Sequence, residues 1–388
     1  MADTEVGDIP SNPEPAVPTN PNHIPGDRQF DNGALVAQAA LLFMAMLPIY
    51  FGSISAINAL KKRQEKIAKG EKVEKSDVET ISSKDAMKFP LTASIALFSL
   101  YLITKNIDPK YLNYLLSAYF MILGVAAITV MFSEIEGLRK FFPDNIFNAD
   151  TFNMDFHSIN KKSGEKEEYL VGSFTYIEIF YFFASLAIGV WYVYSKHWLA
   201  NNIFGLAFSM NAIKLLQIGS FQTGVILLSG LFFYDVFWVF GTEVMVTVAK
   251  NIDAPIKILF PTDFLENHIF GTKHSMLGLG DIVLPGILIA LYARFDWHLH
   301  VEYKTKQAKN TYFHTGLISY FAGLVITMVV MNVFRHAQPA LLYLVPSCVL
   351  IPILVAVVNG QFKDLWAFND EEEKEEKEEK EGEEKKDK

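Results

Sequence analysis

Residues 231–240 read LFFYDVFWVF, nine apolar or aromatic residues around a single carboxylate, Asp235. No Lys or Arg lies within eight positions of Asp235 on either side, so no neighbour in the chain can neutralise it. An ionised side chain at the centre of a membrane helix costs roughly 2.5 to 3.5 kcal/mol on insertion scales. The run therefore predicts a membrane helix with a functional carboxylate, although a helix-packing hydrogen bond or an ion pathway would also account for Asp235 alone.

A second carboxylate, Asp281, lies in the sequence GLGDIV at 278–283, close to the start of the next apolar stretch. Gly278 and Gly280 remove side chains beside it, which lets a substrate backbone or a neighbouring helix approach closely. Alone, Asp281 could act as a helix cap. Together with Asp235, it predicts two carboxylates on neighbouring membrane helices.

Two aspartates in a site of low dielectric share one proton, because like charges at short range cannot both be ionised. The ionised carboxylate can take a proton from a water that attacks a peptide carbonyl, while the protonated one polarises the carbonyl oxygen. This is aspartic proteolysis, and it requires no metal or cofactor. The chain contains neither HExxH nor GxSxG, the motifs of zinc and serine hydrolases.

Nine apolar stretches are long enough to cross a bilayer core about 30 Å thick, which needs roughly 20 residues per helix. They cover residues 34–60, 87–104, 111–133, 173–194, 198–217, 222–249, 275–294, 312–334 and 340–359. The sequence thus predicts an all-α polytopic membrane protein of about nine transmembrane helices. We expect a polar N-terminal segment at 1–33, helices 1–5 at 34–217, catalytic helices 6–9 at 218–360 and a disordered charged tail at 361–388.

The composition agrees with a membrane protein and excludes other classes. Hydrophobic residues make up 51% of the chain, including 32 Phe. The single cysteine, Cys348, excludes an internal disulfide and leaves no Cys pair for a structural zinc site. Basic residues are scattered between apolar runs, so we expect no nucleic-acid partner. The segment 370–388 holds 12 Asp or Glu against 6 Lys and so carries most of the net charge of −9.

The distribution of basic residues predicts the orientation of the chain in the membrane. Eighteen Lys and Arg fall in one set of alternate loops and eight in the other. Cytoplasmic loops carry the excess, so the N-terminus is expected in the lumen and the C-terminus in the cytosol. The first 33 residues lack the order of a cleavable signal peptide, so the first span is expected to remain as an anchor.

A third feature is the sequence QPAL at 338–341, at the start of the ninth stretch. Pro339 restricts Gln338 and prevents a continuous helix. A broken helix at membrane depth is tolerated where it lines a cavity, whereas an isolated proline would more simply mark a helix start.

The three features occur together, and in order and spacing they resemble the YD, GxGD and PAL motifs of the intramembrane aspartyl proteases, the presenilin and signal peptide peptidase family. The resemblance is strongest to the signal peptide peptidase branch. It extends through the stretches 197–211, 234–250, 276–283 and 336–346. Only about 25 residues, 250–274, separate the two catalytic helices, where presenilins have a long insertion, so self-cleavage and obligate partner subunits are not predicted.

The resemblance implies a presenilin-like fold with Asp235 and Asp281 as the catalytic pair. The implied residues that line the active site or engage substrate are Tyr234, Gly278, Leu279, Gly280, Gln338, Pro339, Ala340 and Leu341. The implied substrates are remnant signal peptides and some type II membrane proteins, cleaved within the bilayer of the endoplasmic reticulum. Lys385 and Lys386 match a dilysine retrieval signal. The sequence is compatible with a monomer, a homo-oligomer or a subunit of a degradation complex in the reticulum.

Two other functions fit parts of the same pattern. A transporter or channel could use Asp235 and Asp281 as a proton or cation relay, because broken helices and buried acids also mark such pathways. Inverted internal repeats would favour that alternative, and we find none in the sequence. A non-catalytic chaperone or degradation adaptor could bind the same membrane segments without cleaving them.

Overall fold

The computed structural model of the chain describes residues 32–69, 79–134, 151–159, 166–302, 310–334 and 338–370. The helices are α1 (Asn32–Ala68), α2 (Ser83–Asn106), α3 (Pro109–Glu134), α4 (Tyr176–Ser195), α5 (Trp198–Leu215), α6 (Phe221–Gly241), α7 (Val244–Asn251), α8 (Phe264–Asn267), α9 (Gly280–Glu302), α10 (Thr311–Phe334), α11 (Leu341–Val358) and α12 (Phe362–Ala367). The strands are β1 (Glu79–Ile81), β2 (Thr151–Ile159), β3 (Lys166–Thr175), β4 (Leu216–Ile218), β5 (Lys257–Pro261) and β6 (His274–Gly278). They form three two-stranded sheets, β1 with β4, β2 with β3 and β5 with β6.

The predicted all-α membrane architecture is confirmed. Within the described residues, eight helices are long and apolar enough to cross a membrane: α1, α2, α3, α4, α6, α9, α10 and α11. Helix α5 occupies the place of the remaining predicted span but is more polar, since it carries Asn201, Asn202, Asn211 and Lys214. It packs against α1, α3 and α9, so the described part of the bundle contains nine long helices in agreement with the prediction.

The ends of several predicted spans were wrong because turns and strands interrupt the apolar runs. The stretch 222–249 divides at Thr242, whose backbone is extended (φ −148°), so α6 ends at Gly241 and the short helix α7 follows. Residues 275–278 belong to β6, and α9 begins only at Gly280. Residues 173–175 belong to β3, which pairs with β2 in an antiparallel hairpin that hydropathy did not predict.

Helix α9 is the centre of the bundle. In its most apolar window 78% of the residues are buried, against 6–39% in the seven other candidate spans. It contacts α1, α5, α6, α10 and α11, and its residues 287–293 are all buried in the main hydrophobic core. Most of α9 is therefore covered by protein, while its first turn, with Gly280 exposed and Asp281 partly buried, is its most open part.

Helix α6 lies beside α9 at close range. A Cβ placed on Gly224 of α6 would lie 2.8 Å from Cδ1 of Leu288 on α9, so a larger residue here would require the Leu288 side chain to shift. On its other side α6 packs against α2, where the indole N–H of Trp238 donates a hydrogen bond of 3.1 Å to Ser94 Oγ. These contacts fix the helix that carries Asp235 between the centre of the bundle and α2.

The expectation of a disordered tail from residue 361 needs correction over residues 361–370. Helix α12 covers Phe362–Ala367, and Asp370 is buried in an ion pair with Arg294 of α9 (Nη1 to Oδ2, 2.6 Å). Arg294 also donates to Gln217 Oε1 (3.1 Å) and to the Ile218 carbonyl (2.9 Å). A buried guanidinium needs such partners, and Asp370 supplies the charge. The remainder, 371–388, lies outside the described residues, as do residues 1–31.

Candidate active site

Asp235 lies on α6 and is buried, with 5% of its surface exposed. Its Oδ2 accepts a hydrogen bond of 3.0 Å from the backbone N–H of Leu341, the first residue of α11. A helix N-terminus presents unpaired N–H groups and a partial positive charge. The carboxylate on one helix is therefore held by the exposed amide at the start of another.

That amide is free for Asp235 because of how α11 begins. Pro339 has no N–H and ends regular helix geometry before it, and α11 starts two residues later. The N–H groups of Leu342 and Tyr343 donate to the carbonyls of Pro339 (3.2 Å) and Ala340 (3.2 Å), which leaves Leu341 to bond the carboxylate. The predicted break at Pro339 is thus present in the structure.

Asp281 lies in the first turn of α9 and is partly buried. It interacts electrostatically with Asp235, so the fold brings the two predicted carboxylates into one site. A Cβ placed on Gly278 would lie 3.4 Å from Asp281 Oδ2 and fill the space beside the carboxylate. Among the described residues, no hydrogen bond reaches the Asp281 carboxyl group.

A hairpin places Asp281 relative to the helices. Strand β6 runs antiparallel to β5, with Gly278 opposite Lys257, and the Leu279 N–H bonds the Ile256 carbonyl (3.0 Å). The chain therefore leaves the hairpin and enters α9 within three residues. This fixes Asp281 at the junction between a strand and a helix.

The hairpin is in turn anchored to α5 by two asparagines. Asn202 donates to the Leu259 carbonyl (2.6 Å) and accepts from the Leu259 N–H (2.8 Å), which satisfies the outer edge of β5. Asn201 donates to the carbonyl of Lys257 (2.7 Å). Sequence analysis missed this role, although both residues lie in the stretch 197–211 that resembles the family.

The other predicted site residues lie around the pair with different degrees of contact. Tyr234 is adjacent to Asp235 and interacts with it electrostatically, but its ring packs toward Trp238 with centroids 6.3 Å apart. Gln338 accepts a long hydrogen bond of 3.4 Å from the Tyr343 hydroxyl and not from either aspartate. Leu279 is partly buried and packs against the hydrophobic core. A Cβ placed on Gly280 would meet no atom closer than Leu284 Cδ1, at 4.0 Å. Lys385 and Lys386 fall outside the described residues.

The loop that precedes Asp281 carries its own polar cluster. Burial lowers the pKa of the His274 imidazole, on β6, below its ordinary value, while the nearby Asp263 charge opposes this shift. Hydrogen bonds from the Asn267 side chain (2.9 Å) and the Thr272 N–H (3.1 Å) stabilise the Asp263 carboxylate and lower its pKa. The hairpin end thus holds an imidazole and a carboxyl group whose pKa values both lie below their ordinary values.

Comparisons with known proteins find relatives along most of the chain. A family model described as signal peptide peptidase matches residues 73–372. The signal peptide peptidases of Mus musculus and Homo sapiens are each 44% identical to this chain over 344 residues, which is 88% of this chain and 85% of theirs. Intramembrane protease 2 of Caenorhabditis elegans is 52% identical over 182 residues, 45% of this chain and 39% of that protein.

Proposed function

The chain belongs to the signal peptide peptidase family of intramembrane proteases, and from that premise we propose that it is an aspartic endopeptidase whose catalytic pair is Asp235 and Asp281. The observation that carries the proposal is the meeting of three separate stretches at one point. The Asp235 carboxylate bonds the Leu341 amide, and the Asp281 carboxyl group interacts with Asp235.

The two aspartates have different environments, which supports different roles. The Leu341 N–H donates to Asp235, and a backbone donor favours the ionised form of a carboxylate. Asp281 has no such donor among the described residues. We therefore assign Asp235 as the base and Asp281 as the acid that carries the shared proton.

The reaction then proceeds in two balanced steps. Asp235 takes a proton from a water whose oxygen attacks the peptide carbonyl carbon, while Asp281 donates its proton to the carbonyl oxygen. The resulting gem-diol collapses as Asp235 returns a proton to the amide nitrogen, Asp281 recovers the proton of one hydroxyl, and the C–N bond breaks. A carboxylic acid and an amine leave, and both aspartates regain their starting protonation states.

The substrate class we propose is a peptide embedded in the membrane: remnant signal peptides and some type II membrane proteins. Two relatives that each cover 88% of the chain are named signal peptide peptidase. In a helix each peptide carbonyl is hydrogen-bonded and enclosed, so cleavage needs local unwinding. Substrates with helix-weakening residues are therefore favoured.

The residues next to the pair are proposed to shape the site. Gly278 and Gly280 keep space for the substrate backbone beside Asp281. Pro339, with Ala340 and Leu341, keeps the start of α11 open and holds Asp235. Tyr234, Leu279 and Gln338 are proposed to line the approach to these groups.

We propose that the chain is a multi-pass protein of the endoplasmic reticulum membrane with a lumenal N-terminus and a cytosolic C-terminus. The asymmetry of Lys and Arg between alternate loops supports this orientation, and Lys385 and Lys386 supply the retrieval signal. The proposed division keeps helices 1–5 as the scaffold of the catalytic helices 6–9. The proposal is compatible with a monomer, a homo-oligomer or a subunit of a degradation complex.

The test is cleavage of a detergent-solubilised signal-peptide substrate by the purified full-length protein and its Asp281→Ala variant. Each is assayed with and without a transition-state analogue that mimics a hydrated carbonyl. Product from the unsubstituted protein alone, blocked by the analogue, is expected. A folded protein that binds the substrate but forms no product would support an adaptor, and ion or proton flux in vesicles that depends on Asp281 would support a transporter.

A further inference from the structure

Tyr320 lies where three helices of the bundle meet. It is on α10 and fully buried. Four residues earlier, a Cβ on Gly316 would lie 3.0 Å from the Tyr292 ring on α9, and three residues later, a Cβ on Gly323 would lie 3.2 Å from Leu344 Cα on α11. Positions i, i+4 and i+7 share one helix face. The tyrosine side chain is therefore enclosed by the helix that carries Asp281 and the helix whose amide holds Asp235.

The Tyr320 hydroxyl has no hydrogen-bond partner in the described part of the chain. Two neighbouring tyrosines differ in this respect. Tyr292 donates to the Cys348 carbonyl (2.9 Å), and Tyr312 donates to Gln361 Oε1 (2.8 Å). Buried polar groups are rarely left unpaired, because each one loses its hydration without compensation. Tyr292, Tyr312 and Tyr320, here called the tyrosine cluster, all belong to the main hydrophobic core. Of these three, Tyr320 is the one whose hydroxyl has no partner among the described residues, and it therefore calls for an explanation.

The Tyr320 hydroxyl interacts electrostatically with the Asp281 carboxyl group. Tyr292, in contrast, interacts with Cys348 and not with Asp281. Asp281 itself accepts no hydrogen bond from the described residues, whereas Asp235 already has the Leu341 amide. The described part of the site thus contains one buried donor without an acceptor and one catalytic carboxyl group without a donor.

We propose that Tyr320 is a positioning residue whose hydroxyl donates a hydrogen bond to the Asp281 carboxyl group in the enzyme–substrate complex. The inference rests on the proposed catalytic role of Asp281. A protonated carboxyl group keeps one oxygen that can accept a hydrogen bond. Donation to that oxygen turns the acidic O–H toward the substrate carbonyl.

The hydrogen bond becomes stronger as the reaction proceeds. Once Asp281 has given its proton to the carbonyl oxygen it is a carboxylate, and hydrogen bonds to charged acceptors are about twice as strong as neutral ones. An interaction that strengthens toward the transition state raises kcat and leaves substrate binding unchanged. Tyr320→Phe should therefore lower kcat by between about 10-fold and 100-fold, with little change in KM.

The experiment compares the purified full-length protein with Tyr320→Phe, Tyr292→Phe and Asp281→Asn on the same signal-peptide substrate, and measures kcat, KM and melting temperature for each. Tyr320→Phe removes one oxygen and keeps the ring, so a folded variant with an unchanged or higher melting temperature and a lower kcat is expected. Tyr292→Phe is the matched control, because it removes a hydroxyl of the tyrosine cluster that does not interact with Asp281. It should lower the melting temperature while kcat of the folded protein stays close to that of the unsubstituted protein.

Three results would overturn the inference: an unchanged kcat in Tyr320→Phe, an equal loss of kcat in both phenylalanine variants, or a Tyr320→Phe protein that does not fold, which would assign the hydroxyl a structural role. Failure of the proposed function has a separate signature. Cleavage by Asp281→Asn, or none by the unsubstituted protein, would remove the dyad whatever Tyr320→Phe does.

Discussion

The backbone N–H of Leu341 is bonded to the carboxylate of Asp235 across 106 positions of sequence, at 3.0 Å. The amide is available because Pro339 prevents the helix from extending to residues before α11. Pro339, at the start of one helix, and Asp235, on another, thus both contribute to this one hydrogen bond. Substitution of either residue should therefore disturb the same hydrogen bond.

Asp235→Asn should abolish cleavage, by at least about 1,000-fold in kcat/KM, because the neutral amide cannot take a proton from water. The protein should remain folded, since an amide oxygen still accepts from the Leu341 N–H. Asp296→Asn is the matched control. Asp296 is a buried aspartate of α9 that accepts from the N–H groups of Tyr312 (3.1 Å) and Phe313 (2.7 Å), away from the pair. The Asp296→Asn protein should be less stable but should keep its activity per folded molecule. Turnover by a folded Asp235→Asn protein would contradict the mechanism.

Pro339→Ala should lower kcat/KM roughly 10-fold, the equivalent of one hydrogen bond to a charged group. Alanine permits helix geometry to continue backward from Leu341, whose N–H would then bond a carbonyl four residues earlier and leave Asp235. Pro346→Ala, at an exposed proline inside α11, is the control and should leave the rate unchanged. Equal rates for the two variants, measured per folded enzyme, would remove this role of Pro339.

Asn202→Ala should reduce cleavage by releasing β5 from α5. It removes both hydrogen bonds to Leu259 and leaves two backbone groups unpaired, at a cost of about 1–3 kcal/mol for a buried group. Hydrogen exchange at the Leu259 amide should become faster. Asn211→Ala, on the same helix, breaks a bond to the Ala127 carbonyl (3.0 Å) on α3 and should change stability but not the exchange of Leu259. Slow exchange at Leu259 in Asn202→Ala would show that the hairpin does not depend on α5.

Asp370→Ala should destabilise the protein by about 3 kcal/mol, because it leaves the buried Arg294 guanidinium without its charge partner. The double variant Arg294→Met with Asp370→Leu should recover part of this loss, since neither charge then remains buried. Thermal unfolding in detergent measures both. A double variant less stable than Asp370→Ala would mean that the guanidinium contributes through Gln217 and Ile218 and not through the ion pair.

His274 should make the protein less stable at acidic pH. Its folded-state pKa lies below the unfolded value of about 6.5 because burial disfavours the charged imidazole. Below that value the unfolded state binds more protons, so this group makes stability rise with pH up to about 6.5 and then stop changing. His274→Gln should raise the melting temperature at pH 5 and leave it unchanged at pH 8. Parallel pH curves for the two proteins would contradict this assignment.

Much of the fold could be predicted from local composition. An apolar run of about 20 residues has few alternatives to a membrane helix, and the predicted centres of α1 to α6 and α9 to α11 match the structure. The hairpins β2–β3 and β5–β6 and the helix α7 were missed. Strand pairing depends on which distant segment supplies the partner, and hydropathy carries no such information.

The candidate site likewise contains residues that the sequence could identify and residues that it could not. Asp235, Asp281 and Pro339 could be singled out because each breaks a local rule: a charge without a neighbour, a carboxylate after two glycines, a proline at a span boundary. Asn202 and Tyr320 break none. An asparagine in a moderately polar helix and a tyrosine in an aromatic-rich one are ordinary until their partners, or the lack of them, are known.

The sequence by itself determined the membrane architecture, the two carboxylates and the broken start of α11, because these result from the cost of placing charge and unpaired backbone in a medium of low dielectric. Only the tertiary structure decided which amide holds Asp235, which hairpin positions Asp281 and why residues 361–370 are ordered. Each of those depends on a hydrogen bond or ion pair between groups more than 50 residues apart. Such contacts arise from helix packing and carry no local signal.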